Sequence, residues 1–518
     1  LPISSIGLAL SREKDREKLL REILTRVRQL TNSDGGALFV VAVKPGVVED
    51  EDNYLSNKQL IFKIVQNDSL PVVEKDFVEK TLEITENSLV GYSAIHQEVL
   101  NIPDAYQIDV RAPYGHDVSW DKRNNYRTRS MLVVPMVGTK GETLGVIELL
   151  NRKKERGESL GSVFATGSQV VAFDAGTQAF AESLACQAAI ALENVNLYAN
   201  IEKLFEGFIH ASVRAIEARD PTTSGHSERV AKMTIALAEA AGKADSGPFK
   251  NLVITRQTLK EIEYASLLHD FGKISVPEEV LIKAKKLYPR DLRHLEDRIR
   301  LLRSELKLMA AEKKLDRLKG GQSIEDIEAE LQAALEELEH FSELAHKSNE
   351  PTVLEEGDFQ GLERFRGRCL EAHCGPPIPY LNEDEFLSLS LKRGTLTDEQ
   401  RRQIESHVTH TFNFLHKIPW TQELRHVSKI AHAHHEKLSG KGYPLGLKGD
   451  AIPIQSRMMA IADIFDALTA RDRPYKRAVP LDKSLEILQS EVARGDLDGH
   501  LFMLFRDQRV YRSAGIGE

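Results

Sequence analysis

Residues 291–346 read as two amphipathic helices folded back on one another. Leu292, Leu295, Ile299, Leu302, Leu306 and Met309 recur at intervals of three and four, and past Gly320-Gly321 so do Ile324, Ile327, Leu331, Ala334, Leu338, Phe341 and Ala345. Apolar seams at that spacing let two helices pack side by side, and the glycine pair supplies the turn between them. Glu, Lys and Arg fill the other faces, so the unit reads as a solvated spacer hairpin, with a lid or a dimer contact as alternatives. Its position constrains the rest of the fold. On one side lies His269-Asp270-Phe271-Gly272-Lys273; on the other lies His434-His435-Glu436, followed by Gly442-Tyr443-Pro444. A fold that uses both runs must bring its two halves together across the hairpin.

The remaining chain supports several units. Its 518 residues allow two or three domains with sizeable cores. A net charge of -9 argues against a general nucleic-acid surface, and an anionic substrate would need a locally basic pocket. The three cysteines, Cys186, Cys369 and Cys374, are too few for a disulfide framework and fit a reducing, cytoplasmic setting. No apolar run is long enough to span a bilayer, so no membrane partner is expected. No signal peptide is read. The chain starts at Leu1, which suggests upstream sequence.

Before residue 200 the pattern is α+β. Residues 14–31 predict an amphipathic helix. Runs 36–43, 59–66, 130–136 and 144–150 predict strands, the last two joined by a hairpin at 138–143. Residues 178–215 predict one long helix, with Cys186 as a core thiol within it. Tyr126-Arg-Thr-Arg-Ser-Met-Leu-Val-Val-Pro-Met136, Leu144-Gly-Val-Ile-Glu-Leu-Leu-Asn-Arg152 and Leu184 through Tyr198 resemble a GAF domain over 11–198. That resemblance implies a small-molecule sensor. Thr177 and Gln178 stand where its cyclic-nucleotide-binding members carry Asp-Glu, which leaves the ligand an unidentified small molecule.

From 199 onward the chain reads as helical, with 199–215 as a linker helix. Candidate metal ligands in 220–470 are His226, His269, Asp270, His407, His434, His435 and Asp463, all read in helical context. Imidazole and carboxylate together suit Fe, Mn, Zn or Ni rather than Ca or Mg. Seven ligands exceed what one ion takes from protein, so two ions are implied, with Asp270 as the natural bridge. On a helix, His434 and His435 would point about 100° apart. Cys369, His373 and Cys374 lack the second pair that a zinc clip needs, and read as exposed or packed side chains. His410 and His432 read as structural or as support for the ligands.

His226-Ser-Glu-Arg-Val230, His269-Asp-Phe-Gly-Lys273, His434-His-Glu436, Gly442-Tyr-Pro444, Arg457 with Asp463, and Asp466-Ala-Leu-Thr through Arg473-Pro-Tyr-Lys476 resemble the HD-GYP family. These are metal-dependent phosphodiesterases of the bacterial messenger cyclic di-GMP. The match covers about 200–283 and 392–490, interrupted by some 110 residues that make 284–391 an insertion. The resemblance implies that the seven residues hold two transition-metal ions, Fe or Mn first and Zn or Ni next. It gives Asp270 and Lys273 catalytic roles, and makes Lys273, Tyr443, Arg473 and Lys476 contacts to substrate. Thr222 replaces a Glu that binds a third ion in some members. Ser439 stands where an Asp is frequent. Gly442 is expected to permit a close backbone approach.

The expected architecture is therefore multidomain: an α+β GAF domain, then an all-α HD-GYP domain over 216–490 carrying the helical hairpin. The expected activity is hydrolysis of cyclic di-GMP to pGpG, and onward to GMP. The alternatives are a cyclic-dinucleotide receptor or scaffold, and an HD phosphohydrolase for another nucleotide such as cyclic GMP-AMP. The layout also implies a homodimer along the helix 178–215.

Overall fold

The computed structural model describes residues 13, 15–46, 55, 57–70, 80–157, 160, 166–219, 224–351, 361–470 and 478–517. The chain divides into two compact units, Leu1–Phe205 and Glu206–Glu518. Thr222, Arg473 and Lys476 lie outside the described residues.

The first unit is α+β. Helix α1 (Arg16–Thr31) starts at Asp15, whose carboxylate accepts from the amides of Glu17 and Lys18, and it buries Leu19, Leu20, Ile23, Leu24 and Val27. The four expected strands are all present, three of them slightly longer and β5 shifted by one residue: β1 (Ser33–Val43), β2 (Lys58–Asn67), β5 (Met131–Val137) and β6 (Thr143–Lys153). Short β3 (Thr81–Glu83), β4 (Leu100–Ile102) and β7 (Val170–Val171) complete an antiparallel sheet ordered β3-β2-β1-β6-β5-β4, with β7 on β6. Alternation divides β1 between two cores. Leu38 and Val40 pack with α1 and with helix α3 (Ala175–Arg219). Ala37 and Phe39 pack with helix α2 (Leu89–His96). The reading of Cys186 as a core thiol is corrected: α3 turns Leu184, Ala185, Ala188 and Ala189 inward and leaves Cys186 exposed.

The second unit is mostly helical. It contains α4 (His226–Gly242), α5 (Arg256–Leu268), α6 (Pro289–Lys319), α7 (Glu325–Asn349), α8 (His407–Leu415), α9 (Val427–His432) and α10 (Ile454–Thr469). Helices α6 and α7 are the expected hairpin. Leu295, Ile299 and Leu302 meet Leu338, Phe341 and Ala345, and Phe365, Tyr380 and Phe386 extend this core. At the hairpin's base, buried Lys286 donates to the carbonyls of Leu389 and Leu391 at 3.3 and 2.7 Å, while its amide donates to Asn349. Residues on either side of the hairpin thus meet at one point. Cys369 and Cys374 are exposed, and His373 faces Glu312 at 3.2 Å. Among the described residues, no helix is long and apolar enough to cross a membrane.

Candidate metal centre

Helix ends carry the central residues. His269 and Asp270 occupy the turn that closes α5, and His434 and His435 occupy the turn just past α9. This corrects the helical reading of those two pairs: the 100° relation does not apply, and the His434 and His435 rings lie 4.0 Å apart, tilted by 41°. His226 and His407 instead open α4 and α8, and Asp463 lies within α10.

Three of the histidines are oriented in the same way. The Nδ1 of His269, His407 and His434 lies 2.7, 2.5 and 2.7 Å from the carbonyl oxygens of Ser266, Ile404 and Ala431. A carbonyl only accepts, so each Nδ1 carries the proton and each Nε2 presents a lone pair. All three Nε2 atoms are buried with no hydrogen-bond partner. A buried acceptor left unpaired is costly, and the ordinary remedy at a histidine cluster is a cation.

Two groups of three candidate ligands result: His226, His269 and Asp270; and His407, His434 and His435. Asp270 reaches both. Its Oδ2 lies 3.9 Å from His226 Nε2 and 3.6 Å from His269 Nε2, while Oδ1 lies 3.3 Å from His407 Nε2. Asp463 also spans them, with Oδ1 3.1 Å from His226 Nε2 and Oδ2 3.8 Å from His435 Nδ1. All seven sequence candidates are brought together. Lys273 joins them, its ammonium 2.8 Å from Asp270 Oδ2.

The charge states suit cation binding. Burial opposes ionisation of Asp270, but Lys273, His269 and His407 hold its carboxyl well below the usual carboxylate range. Asp463 is lowered despite burial, chiefly through His226. Burial pushes His434 well down and His435 down to about 4, so both are neutral at physiological pH. His226 differs: burial would lower it, but Asp463 and Asp466 raise it to about 9. Ionised carboxylates and neutral imidazoles are the forms that bind transition metals, so an ion at His226 would displace its proton; the donor set fits Fe, Mn, Zn or Ni.

The Gly442-Tyr443-Pro444 loop sits beside the cluster, with the Tyr443 ring 4.8 Å from that of His435. A Cβ on Gly442 would lie 2.4 Å from Lys437 N and 2.6 Å from His435 O, so the expected close approach is present. Ser439 donates to Asp496 at 2.5 Å, away from the ligands. Arg457 bonds Ile452, Asp450 and Asp498, which makes it structural. Among the histidines beside the ligands, His410 is exposed and His432 stacks on Phe412.

Three supporting residues had no role assigned from the sequence: Glu436 and Asp466 stood only as motif positions, and Thr411 was not singled out. Buried Glu436 accepts from the amides of Leu445 and Leu447 at 2.7 and 2.8 Å, pinning the loop. Buried Thr411 bonds both His269 and Gly272. Buried Asp466 holds His226. Their signal was position: Thr411 falls one turn after His407, Asp466 one turn after Asp463, and Glu436 next to His435.

Comparison with known proteins agrees with this architecture. A GAF domain model matches residues 15–192, and two HD domain models match 223–354 and 384–501. The chain carries a GAF domain followed by HD-domain sequence. A Vibrio cholerae 3'3'-cGAMP-specific phosphodiesterase 3 is 41% identical over 101 residues, 20% of this chain and 21% of that one. A 3'3'-cGAMP-specific phosphodiesterase 1 of the same organism is 36% identical over 139 residues, 27% and 28% of the two chains. A Thermotoga maritima cyclic di-GMP phosphodiesterase is 40% identical over 100 residues, 19% and 27%. The aligned part spans about a quarter of the length of these relatives.

Proposed function

We propose that this chain is a metal-dependent phosphodiesterase that hydrolyses cyclic di-GMP to linear pGpG, governed by its GAF domain. One observation carries the reading: seven ligand-type side chains from separate blocks converge, with three buried Nε2 lone pairs unpartnered. His226, His269 and Asp270 would hold one ion and His407, His434 and His435 the other, with Asp270 bridging and Asp463 completing the set. When bound, such ions supply Lewis acidity toward a phosphoryl oxygen and acidify a water.

The chain's own groups do the rest. The Lys273 ammonium sits where it can hold a non-bridging phosphate oxygen as charge develops. Burial, with Asp463 next, raises the Tyr443 phenol, so it stays protonated and can donate to substrate. His435 is the most exposed of the candidate ligand histidines, which supports a substrate approach from the side of the Tyr443 loop. Attack of water oxygen on one phosphorus forms a P–O bond and breaks the bond to a ribose 3' oxygen. That oxygen leaves protonated, and one phosphodiester becomes a terminal phosphate.

The test is linearisation of cyclic di-GMP by the purified chain loaded with Mn or Fe, with 3'3'-cGAMP alongside. Cyclic di-GMP turnover that Asp270→Ala abolishes is expected. Faster turnover of 3'3'-cGAMP would move the substrate to the second class, for which the cGAMP-specific relatives argue. Tight binding of cyclic di-GMP without hydrolysis would favour a receptor.

A homodimer through α3 belongs to the same reading. Ile190, Leu197, Ile201 and Leu204 are exposed at seven-, four- and three-residue spacing, and Asn194 falls on the same seam. Ile201 and Asn194 then take a positions and the leucines d positions, a pattern that favours two parallel strands in register.

A further inference from the structure

We propose that Asp466 is the positioning residue for His226, and that with Arg229 it sets the affinity of the ion held by the His226, His269 and Asp270 group. This rests on the metal-centre reading above.

His269, His407 and His434 each hold their tautomer through a backbone carbonyl three residues back. His226 is the first residue of α4, so no earlier turn of that helix offers it a carbonyl. A side chain from α10, 240 positions away, takes over: Asp466 Oδ2 lies 2.7 Å from His226 Nδ1. One turn back on α10, Asp463 Oδ1 lies 3.1 Å from the other ring nitrogen. A single helix thus addresses both sides of the imidazole. Arg229, one turn beyond His226 on α4, closes the arrangement. Its Nε donates to Asp466 Oδ1 at 2.6 Å and its Nη2 to Oδ2 at 3.0 Å. This two-point contact fixes the plane of a fully buried carboxylate and keeps it ionised. A carboxylate partner makes the imidazole a better electron donor than a carbonyl partner does, and such partners change metal affinity by about 10–100-fold.

The test uses the full chain and Mn²⁺ alone, read by titration and by metal content after gel filtration. Asp466→Ala should weaken one of two ions about 10–100-fold. His226→Ala should weaken the same ion, and the double variant should be no weaker than His226→Ala alone. Asp466→Asn, which can still accept from Nδ1, should recover part of the loss. Thermal unfolding of the metal-free chains separates positioning from damage. Wild-type affinity in Asp466→Ala overturns the assignment, and so do additive losses in the double variant. Equal loss of both ions with a lowered metal-free Tm also overturns it. A wild-type chain that binds no Mn²⁺ would overturn the metal centre itself.

Discussion

The Thr411 hydroxyl donates to the His269 carbonyl oxygen at 2.9 Å, across 142 positions of sequence. Thr411 Oγ1 in turn accepts from the Gly272 amide at 2.8 Å. These bonds tie the turn bearing His269 and Asp270 to the helix bearing His407, bypassing the hairpin between them. Thr411→Val keeps the shape and removes the hydroxyl, leaving the buried Gly272 amide unpaired. A destabilisation of about 1–3 kcal/mol is expected in denaturant unfolding. Thr411→Ser, which retains the hydroxyl, should lose much less.

Gly272 marks where these two segments touch. A Cβ there would lie 1.9 Å from His407 O and 2.5 Å from Thr411 N. Both neighbours are backbone, so no side-chain rotation relieves the clash. Gly272→Ala should cost about 3 kcal/mol or more and force His407 away from Asp270. Metal content of the purified variant, set beside its unfolding midpoint, checks both effects.

How much of this was legible depends on the kind of signal. Strands β1, β2, β5 and β6 announced themselves because alternating residues face two cores. The hairpin did so because its seam repeats over many turns. Four of the seven candidate ligand positions stood out as two adjacent pairs, His269-Asp270 and His434-His435, whereas His226, His407 and Asp463 were set apart by the family motif. Short β3 and β4 carry too few residues to show a period, and their place is set by pairing with β2 and β5. Cys186 misled because a small thiol inside an alanine-rich helix looks buried whichever face it takes. Thr411, Glu436 and Asp466 are common residue types whose partners lie outside their own local pattern. Only the closed fold shows that Thr411 meets His269, and that Asp466 meets His226.

Glu436 belongs to the loop rather than to the ions. Its two carboxylate oxygens separately accept the amides of Leu445 and Leu447. Glu436→Ala leaves both amides unpaired and frees the segment carrying Tyr443. Turnover should fall by about 10–100-fold, roughly 1.4–2.7 kcal/mol in the barrier, while metal content stays at the wild-type level. Loss of metal in parallel with activity would assign Glu436 to the ligand shell instead.

The α3 seam makes a separate claim about assembly. A charge at an a position is poorly tolerated in a parallel pair of helices, because both copies place it at the same level. Ile201→Glu should therefore convert a dimer to a monomer, read as a halved mass in light scattering. Lys203→Glu, off the seam on the same exposed stretch, should leave the mass unchanged. A wild-type chain that runs as a monomer at micromolar concentration would remove the dimer from the proposal.

The GAF domain holds one carboxylate in an unfavourable place. Glu148 lies on β6 opposite Ala37 and Val133, residues of the core that packs on α2. Burial raises its pKa from 4.5 to about 7, with His116 opposing and Asp121 adding to the rise. The folded pKa therefore lies above the unfolded one, so the folded state favours the protonated form. The stability this contributes is fully present below pH 4.5 and is lost as pH rises through about 7. Glu148→Gln stays neutral throughout and escapes that loss. The difference in Tm, variant minus wild type, should grow more positive from pH 5 to pH 8, followed on the transition of the GAF unit in the full chain. A difference that stays flat across that range would mean that Glu148 is as well solvated folded as unfolded.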